Sequence, residues 1–364
     1  MRACTRMLSG AAPMTVRERL ADMADYGGLD VYPDYYGRGE LLTLVESKMA
    51  EFFGVERAVF FPTGTLAQQV ALRYWAERES CPVVAAHPIG HLLRRERYAV
   101  QALAGLRTVW PAPDPRIPEW RARHASAQEI ADLPDKIGAF VLELPLRDAG
   151  FLLPGWDELT AIAEAVRSIG ARLHIDGARL WETAPYLGRP VSAVAALADS
   201  TYVSLYKSLA GVSGAVLLGD AALARYAVSW RHRYGGDLFQ QWPSAVAALQ
   251  GLEREVPRIE SYVAHARTVA EVLADNLPGA RIHPEPPHTN QFQLWLPGTA
   301  DELNEAALRL AEDDGLWFAG GWHDAAVPGQ AMAEITIGAR ALELDADDVR
   351  EMAEGFRDRL PLVR

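Results

Sequence analysis

The sequence predicts an α/β protein with a mostly parallel sheet covered by helices in a large domain, plus a smaller α+β C-terminal domain. Three observations carry this reading. Short apolar runs alternate with amphipathic stretches of helical period through the middle of the chain, the pattern of βα units whose sheet is buried on both faces. At 364 residues the chain is longer than the ~250–300 residues at which a single core stops growing, so two domains are expected. Past residue 255 the regular alternation gives way to a mixed pattern. The expected organisation is an N-terminal arm or helix over 1–26, a large domain over 27–255 and a small domain over 256–364.

In chain order, Thr15–Tyr26 and Glu40–Phe53 read as amphipathic helices, the second stopped by Gly54. Arg57–Phe61 (RAVFF) reads as a strand, followed by a turn at Pro62–Gly64 and a helix over Thr65–Glu77. Cys81–Ala86, Ile137–Leu144, Arg172–Ile175, Thr201–Leu205 and Gly214–Leu218 are short apolar runs expected to be buried strands, with Trp156–Ile169 a helix between two of them. Tyr226–Glu255 reads as a long helical stretch interrupted at Gly235–Gly236. A helix from Val256, a strand over Gln291–Leu296, a helix over Asp301–Asp313, a strand over Ala333–Ile337 and a helix over Ala346–Arg357 complete the chain.

Charge and composition exclude several functions. A formal charge of −12 repels nucleic acid and anionic membrane surfaces, so neither is an expected partner. No apolar run reaches the ~20 residues that span a bilayer, and MRACTRMLSGAAPM lacks a secretory apolar core, so a cytoplasmic protein is expected. Cys4 and Cys81 are the only cysteines, without CxxC spacing, and no metal site is expected. The basic residues are more informative. Of 36, only Lys48, Lys136 and Lys207 are lysines. A chain that otherwise uses arginine needs a reason to place a lysine in an apolar setting, and arginine cannot supply a nucleophilic amine.

That reason lies in two motifs, HIDGAR at His174–Arg179 and SLYKSLAG at Ser204–Gly211. Asp176 ends a predicted strand, a place that also suits a helix N-cap. Lys207 follows it by 31 residues, room for one crossover, so both can reach the same sheet edge. A carboxylate for a pyridinium nitrogen and a lysine for an imine are what pyridoxal phosphate (PLP) chemistry requires. The stretch FFPTGTLAQQVAL adds a strand, a glycine turn and a helix start, where Gly64 and the hydroxyls of Thr63 and Thr65 offer an anion site. His91, in HPIGHLLRRERYAV, follows the next strand and is placed to stack on a cofactor ring, with His87 its local competitor.

These residues resemble the threonine aldolase and β-eliminating lyase family of fold-type-I PLP enzymes, from about Pro13 to Gly236. The block from DVYPDYYGRGE to FFPTGT is similar to the family's N-terminal turn, helix and phosphate loop. GHLLRRE is similar to its His-x4-Glu segment, implying that His91 stacks on the ring with Glu96 behind it. HIDGARLWE implies Asp176 at the pyridine nitrogen and Arg179 near the phenolic oxygen and substrate carboxylate. DSTYVSLYKSLAG implies Lys207 as the Schiff-base residue. The resemblance also implies a homodimer or homotetramer with sites at subunit interfaces.

Three segments depart from the family pattern. ELPLRDAG at Glu143–Gly150 has Leu146 or Arg147 where the family's substrate-side histidine stands. RHRYGGDLFQ puts His232 and Phe239 at positions that help hold phosphate, and MAEITIG puts Glu334 where a carboxylate-binding arginine is expected, with Arg340 as substitute. Two readings stand side by side: either Arg147 points inward to reach the substrate tail and Trp322–His323 offer an aromatic, proton-handling wall, or Arg147 faces solvent and Trp322 is core packing. The expected activity is that of a PLP-dependent lyase or aldolase on a β-hydroxy or other β-substituted α-amino acid, with Lys207, His91 and Asp176 catalytic. The alternatives are a β-eliminating lyase, racemase or transaldolase on the same scaffold, or a PLP-binding protein with little catalysis.

Overall fold

A computed structural model describes residues 1, 4–111, 122–133 and 136–361. The chain forms two compact units, one of Leu20–Pro257 and one of Met1–Arg19 with Arg258–Arg364. Residues 1–19 of the expected N-terminal arm thus belong with the C-terminal unit and residues 20–26 with the larger one.

The larger unit is built on a seven-stranded sheet. Its spatial order is Arg57–Phe61, Ala215–Gly219, Ser200–Ser204, Arg172–Asp176, Ala139–Glu143, Val83–Ala86 and Arg107–Val109. Only Ala215–Gly219 runs against its neighbours. The other six strands therefore point one way, and their carboxyl ends share one edge. Val83–Ala86, Ala139–Glu143 and Ser200–Ser204 are buried along their whole length, and three more strands at all but one end residue, which is why they read as continuous apolar runs instead of alternating ones.

Helix limits follow local chemistry. Glu40–Phe53 ends on Gly54 in the left-handed conformation, φ 61°, which a glycine adopts without strain. Gly64–Arg78 starts at Thr63, whose hydroxyl accepts from Leu66 N at 3.2 Å. The helical stretch expected over Tyr226–Glu255 is two helices, Ala221–Arg233 and Trp242–Arg254, with the expected interruption at the Gly235–Gly236 turn, Gly235 at φ 74°.

The smaller unit holds an antiparallel sheet ordered His323–Asp324, Gln330–Thr336, Gln291–Pro297, Arg281–His283, with helices Ile259–Asn276, Ala300–Asp314 and Ala346–Arg357. Arg6–Met7 pairs in parallel with Leu316–Trp317. Of the two readings of Trp322, the structure takes core packing over an aromatic wall. Its ring is 4% exposed and stacks at 14° on Phe356, because a large apolar ring gains more from burial than from lining a wet site, while His323 is exposed.

Candidate active site

The shared carboxyl edge of the sheet gathers the predicted residues. Phe61 leads to Thr63–Thr65, Ala86 to His91, and Ser204 to Lys207, while Glu143 and Asp176 are the last residues of their strands. Open α/β sheets bind ligands at this edge because the loops leaving parallel strands converge there.

Lys207 lies on a tight loop between two antiparallel strands. Leu205 N donates to Gly214 O at 3.1 Å, Gly211 N to Leu205 O at 3.1 Å, and Ala210 N to Lys207 O at 3.1 Å. A side chain on Gly211 would collide with Leu205 O, and one on Gly251 of the helix Trp242–Arg254 would collide with Leu209 O. Glycines therefore let the loop fold on itself and the helix close on it. Burial pushes the Lys207 amine down to about 8, helped by the charges of Arg179 and Arg147 and opposed by Asp176 and Glu143.

Asp176 is 1% exposed, and its carboxylate accepts from Gln68 Nε2 at 2.9 Å and Ala178 N at 3.3 Å. Gln68 gives its second amide proton to Glu96 Oε1 at 3.1 Å, and Gln69 Nε2 donates to Glu96 Oε2 at 2.9 Å. His91 Nδ1 stands 3.4 Å from the same Glu96 Oε1. One buried network thus runs from Asp176 through Gln68 and Glu96 to His91. Burial disfavours charge on His91, but Glu96 and Asp176 outweigh it and raise its pKa; Glu96 is raised chiefly by burial.

Glu143 ties two loops to its strand. Its Oε2 accepts from His91 N at 2.7 Å and its Oε1 from Arg147 N at 3.2 Å. Burial, then the neighbouring Asp176, pushes its carboxyl up to about 7. The loop at Gly64 is similarly close-packed, since a Cβ there would overlap the buried Tyr202 hydroxyl. Arg179 follows Gly177, whose N donates to Tyr202 O at 2.9 Å, and its guanidinium sits 5.4 Å over the Phe151 ring.

The structure therefore brings together Thr63, Gly64, Thr65, His91, Asp176, Arg179, Lys207 and Arg147 at the strand ends. His87 follows the same strand end as His91 but its ring is taken up by other partners: it bonds to Arg123 O at 3.1 Å, packs on Trp110, and burial lowers it to about 4. His232 is exposed at a helix end and bonds Asp237 at 3.1 Å. Its buried neighbour Arg231 is the one that reaches the strand before the loop, donating to Phe60 O at 2.6 Å. Arg340 is exposed in the smaller unit and donates to both oxygens of Glu343 at 3.1 Å.

Sequence reasoning missed Gln68, Gln69, Glu143, Glu182 and Tyr202. The signal was a polar residue in an apolar context: QQ inside a helix buried on nearly all sides, and single acids in AFVLELP and RLWETA.

Comparison with known proteins agrees with this geometry. A family model described as beta-eliminating lyase matches residues 23–295. The fold superposes, with a TM-score of 0.91 and 34% identity over 99% of this chain and 98% of the other, on an Exiguobacterium protein assigned by name as an aromatic amino acid beta-eliminating lyase/threonine aldolase. A Listeria monocytogenes protein, assigned by name as an L-allo-threonine aldolase, gives 0.90 at 30% identity, with 98% and 97% covered. A low-specificity L-threonine aldolase of Arabidopsis thaliana is 26% identical over 79% of this chain and 81% of its own length. With the family model spanning both the lysine loop and the strands around it, the chain belongs to the beta-eliminating lyase family and is a PLP-dependent lyase of fold type I.

Proposed function

We propose that the protein cleaves the Cα–Cβ bond of a β-hydroxy α-amino acid, with Lys207 holding PLP, and that L-threonine is a poor substrate. The observation that carries this reading is the pairing, at one sheet edge, of a buried carboxylate, Asp176, with an amine whose pKa burial lowers to about 8, Lys207. The donor set fits the cofactor. Asp176 faces the site from a strand end, and Gly64 leaves no room for a side chain at the head of a fifteen-residue helix. When bound, PLP supplies an electron-withdrawing ring that lowers the cost of breaking a bond at Cα.

The residues would divide the work as follows. Asp176, oriented by Gln68, holds the proton on the pyridine nitrogen. The N–H groups of Gly64 and Thr65 at the helix N-terminus would hold the phosphate, and the Thr63 hydroxyl, which accepts from Leu66 N, keeps its own proton to donate. His91 would stack on the ring, and Glu96 beside it favours a proton on its imidazole. Lys207 would hold the cofactor, and its amine, which burial brings down to about 8, would be able to take up or release a proton beside the substrate. Arg179 holds the substrate carboxylate and Arg147 the substrate tail.

Replacing the family's substrate-side histidine by Leu146 or Arg147 removes one hydrogen bond to the reacting hydroxyl, which costs roughly 1.5–3 kcal/mol, about ten- to a hundredfold. The same reading makes the protein a cytoplasmic homodimer or homotetramer with sites at subunit interfaces, in keeping with the family likeness; no described helix is long and apolar enough to cross a membrane.

Two measurements test this. Borohydride reduction of the holoenzyme followed by peptide mapping is expected to fix the cofactor to Lys207, and attachment to Lys48 or Lys136 overturns the assignment. A panel of β-hydroxy amino acids, assayed for aldehyde, pyruvate and ammonia, is expected to give aldehyde. Cleavage of L-threonine or L-allo-threonine at about 10⁴ M⁻¹s⁻¹ or more would make it an ordinary threonine aldolase. Pyruvate with ammonia would make it a β-eliminating enzyme.

A further inference from the structure

Glu182 stands on the short 3-10 helix Leu180–Thr183 that leaves the Asp176 strand, and it is 3% exposed. Its Oε1 accepts from Ser208 Oγ at 2.8 Å, and its Oε2 is buried without a hydrogen-bond partner among the described residues. Ser208 is the residue next to Lys207. The carboxyl therefore joins the segment that carries Asp176 and Arg179 to the loop that carries the lysine. A buried carboxyl with one oxygen unsatisfied is costly, and an apolar side chain would fill the place more cheaply.

We propose that Glu182 is a positioning residue for Lys207: through Ser208 it fixes the lysine loop, and its charge governs how readily the lysine amine loses a proton. The inference rests on the proposed role of Lys207 as the cofactor lysine. The charged groups around the pair are few. Arg179 and Lys207 act on Glu182, whose carboxyl burial pushes up to about 7. Arg179, Asp176, Glu143 and Arg147 act on Lys207, and Lys207 in turn acts on His91. Coulomb interaction is mutual, so the Lys207 charge that favours ionised Glu182 is itself favoured by it. Glu182 also lies three residues beyond Arg179, the largest single charge driving Lys207 toward neutrality, and offsets it. Both effects have one sign: an ionised Glu182 favours a proton on Lys207, and a neutral Glu182 favours its loss.

With three lysines in the chain, Lys207 can be followed by itself. The full-length protein, labelled with [¹³Cε]-lysine and freed of cofactor, gives resonances that Lys207→Arg assigns. Glu182→Gln keeps an acceptor for Ser208 and removes the charge, so the Lys207 titration midpoint is expected to fall by roughly half a unit. Ser208→Ala keeps the carboxyl but removes its donor, and the midpoint falls by less. If Glu182→Gln does not fold, Ser208→Ala decides. An unmoved midpoint overturns the proposal, even when borohydride fixes the cofactor to Lys207. A midpoint that moves while the cofactor attaches to another lysine sinks the assignment of Lys207 and leaves the Glu182 coupling intact.

Discussion

The two units bury different kinds of side chain. Among the described residues the larger unit buries ionisable groups at the strand ends and around them, including Glu96, Glu143, His174, Asp176 and Glu182. The buried polar side chains of the smaller unit are Ser9, Thr289, Asn290, Gln291 and Gln293, none of which ionises. Those of the smaller unit are answered locally, as in Asn290 Nδ2 to Ile337 O at 2.7 Å and Gln291 Nε2 to Thr336 Oγ1 at 3.0 Å. Around them stands an apolar core in which Phe318 stacks on Phe356 at 4.5 Å. The contrast separates two uses of burial. In the smaller unit burial chiefly excludes water from hydrocarbon, although it also lowers the His265 imidazole, whereas in the larger it shifts a cluster of groups at one sheet edge, bringing Lys207 down to about 8 and Glu143 and Glu182 up to about 7.

The sharpest way to break this contrast is Lys207→Arg. The charge stays and the nucleophilic amine goes, so turnover is expected to fall by several orders of magnitude, with loss of covalently held cofactor but little change in melting temperature. Cofactor still trapped by borohydride in the variant would refute the assignment. In the smaller unit, Phe356→Ala is expected to cost about 3–5 kcal/mol in denaturant unfolding, the range for emptying a large aromatic site. The Lys207 titration midpoint in that variant is expected to match the parent. Next is Gly64→Ala, whose Cβ would overlap the Tyr202 hydroxyl and ring. It is expected to cost about 1–3 kcal/mol and to weaken cofactor binding, and Tyr202→Phe is not expected to rescue it, because the ring itself is in the way.

Glu143→Gln tests burial against pH. The carboxyl ionises near 4.5 in the unfolded chain and near 7 in the folded protein, so between these values the folded state holds the extra proton and loses stability as pH rises. The variant lacks this loss. Its stability relative to the parent is expected to rise by on the order of 1–3 kcal/mol from about pH 5 to about pH 8, read from urea midpoints at each pH. His174, which burial lowers to about 4, has the opposite slope in both proteins and cancels in the difference. The smallest effect belongs to Arg340→Ala in the smaller unit. Its exposed pair with Glu343 is expected to be worth less than about 0.5 kcal/mol, and a large loss of substrate affinity would instead restore the carboxylate-binding role expected from sequence.

Much of the fold was legible because long buried segments leave a strong periodic record. Glu40–Phe53, Arg57–Phe61 and Ala346–Arg357 have the limits read from sequence. Strands of two or three residues, such as Arg107–Val109, Arg281–His283 and His323–Asp324, are too short to carry a period and went unread. The two readings of Trp322 stayed open because a tryptophan next to a histidine looks the same in sequence whether it lines a site or, as here, stacks inside a core.

By itself the sequence determined which residues have the chemistry for the cofactor: one lysine in an apolar setting, an acid ending a strand, a glycine turn before a helix. These are properties of residue type and local pattern, and they survive without knowledge of neighbours. Only the tertiary structure decided who surrounds them. Gln68 reaches Asp176 across 108 residues, Glu143 reaches His91 N across 52, and Ser208 reaches Glu182 across 26. Such contacts depend on strand order, and strand order is set by packing of the whole sheet. The protonation of Lys207, Glu143 and Glu182 follows from that packing, because desolvation and neighbouring charge are properties of a place in the fold and not of a residue in a line.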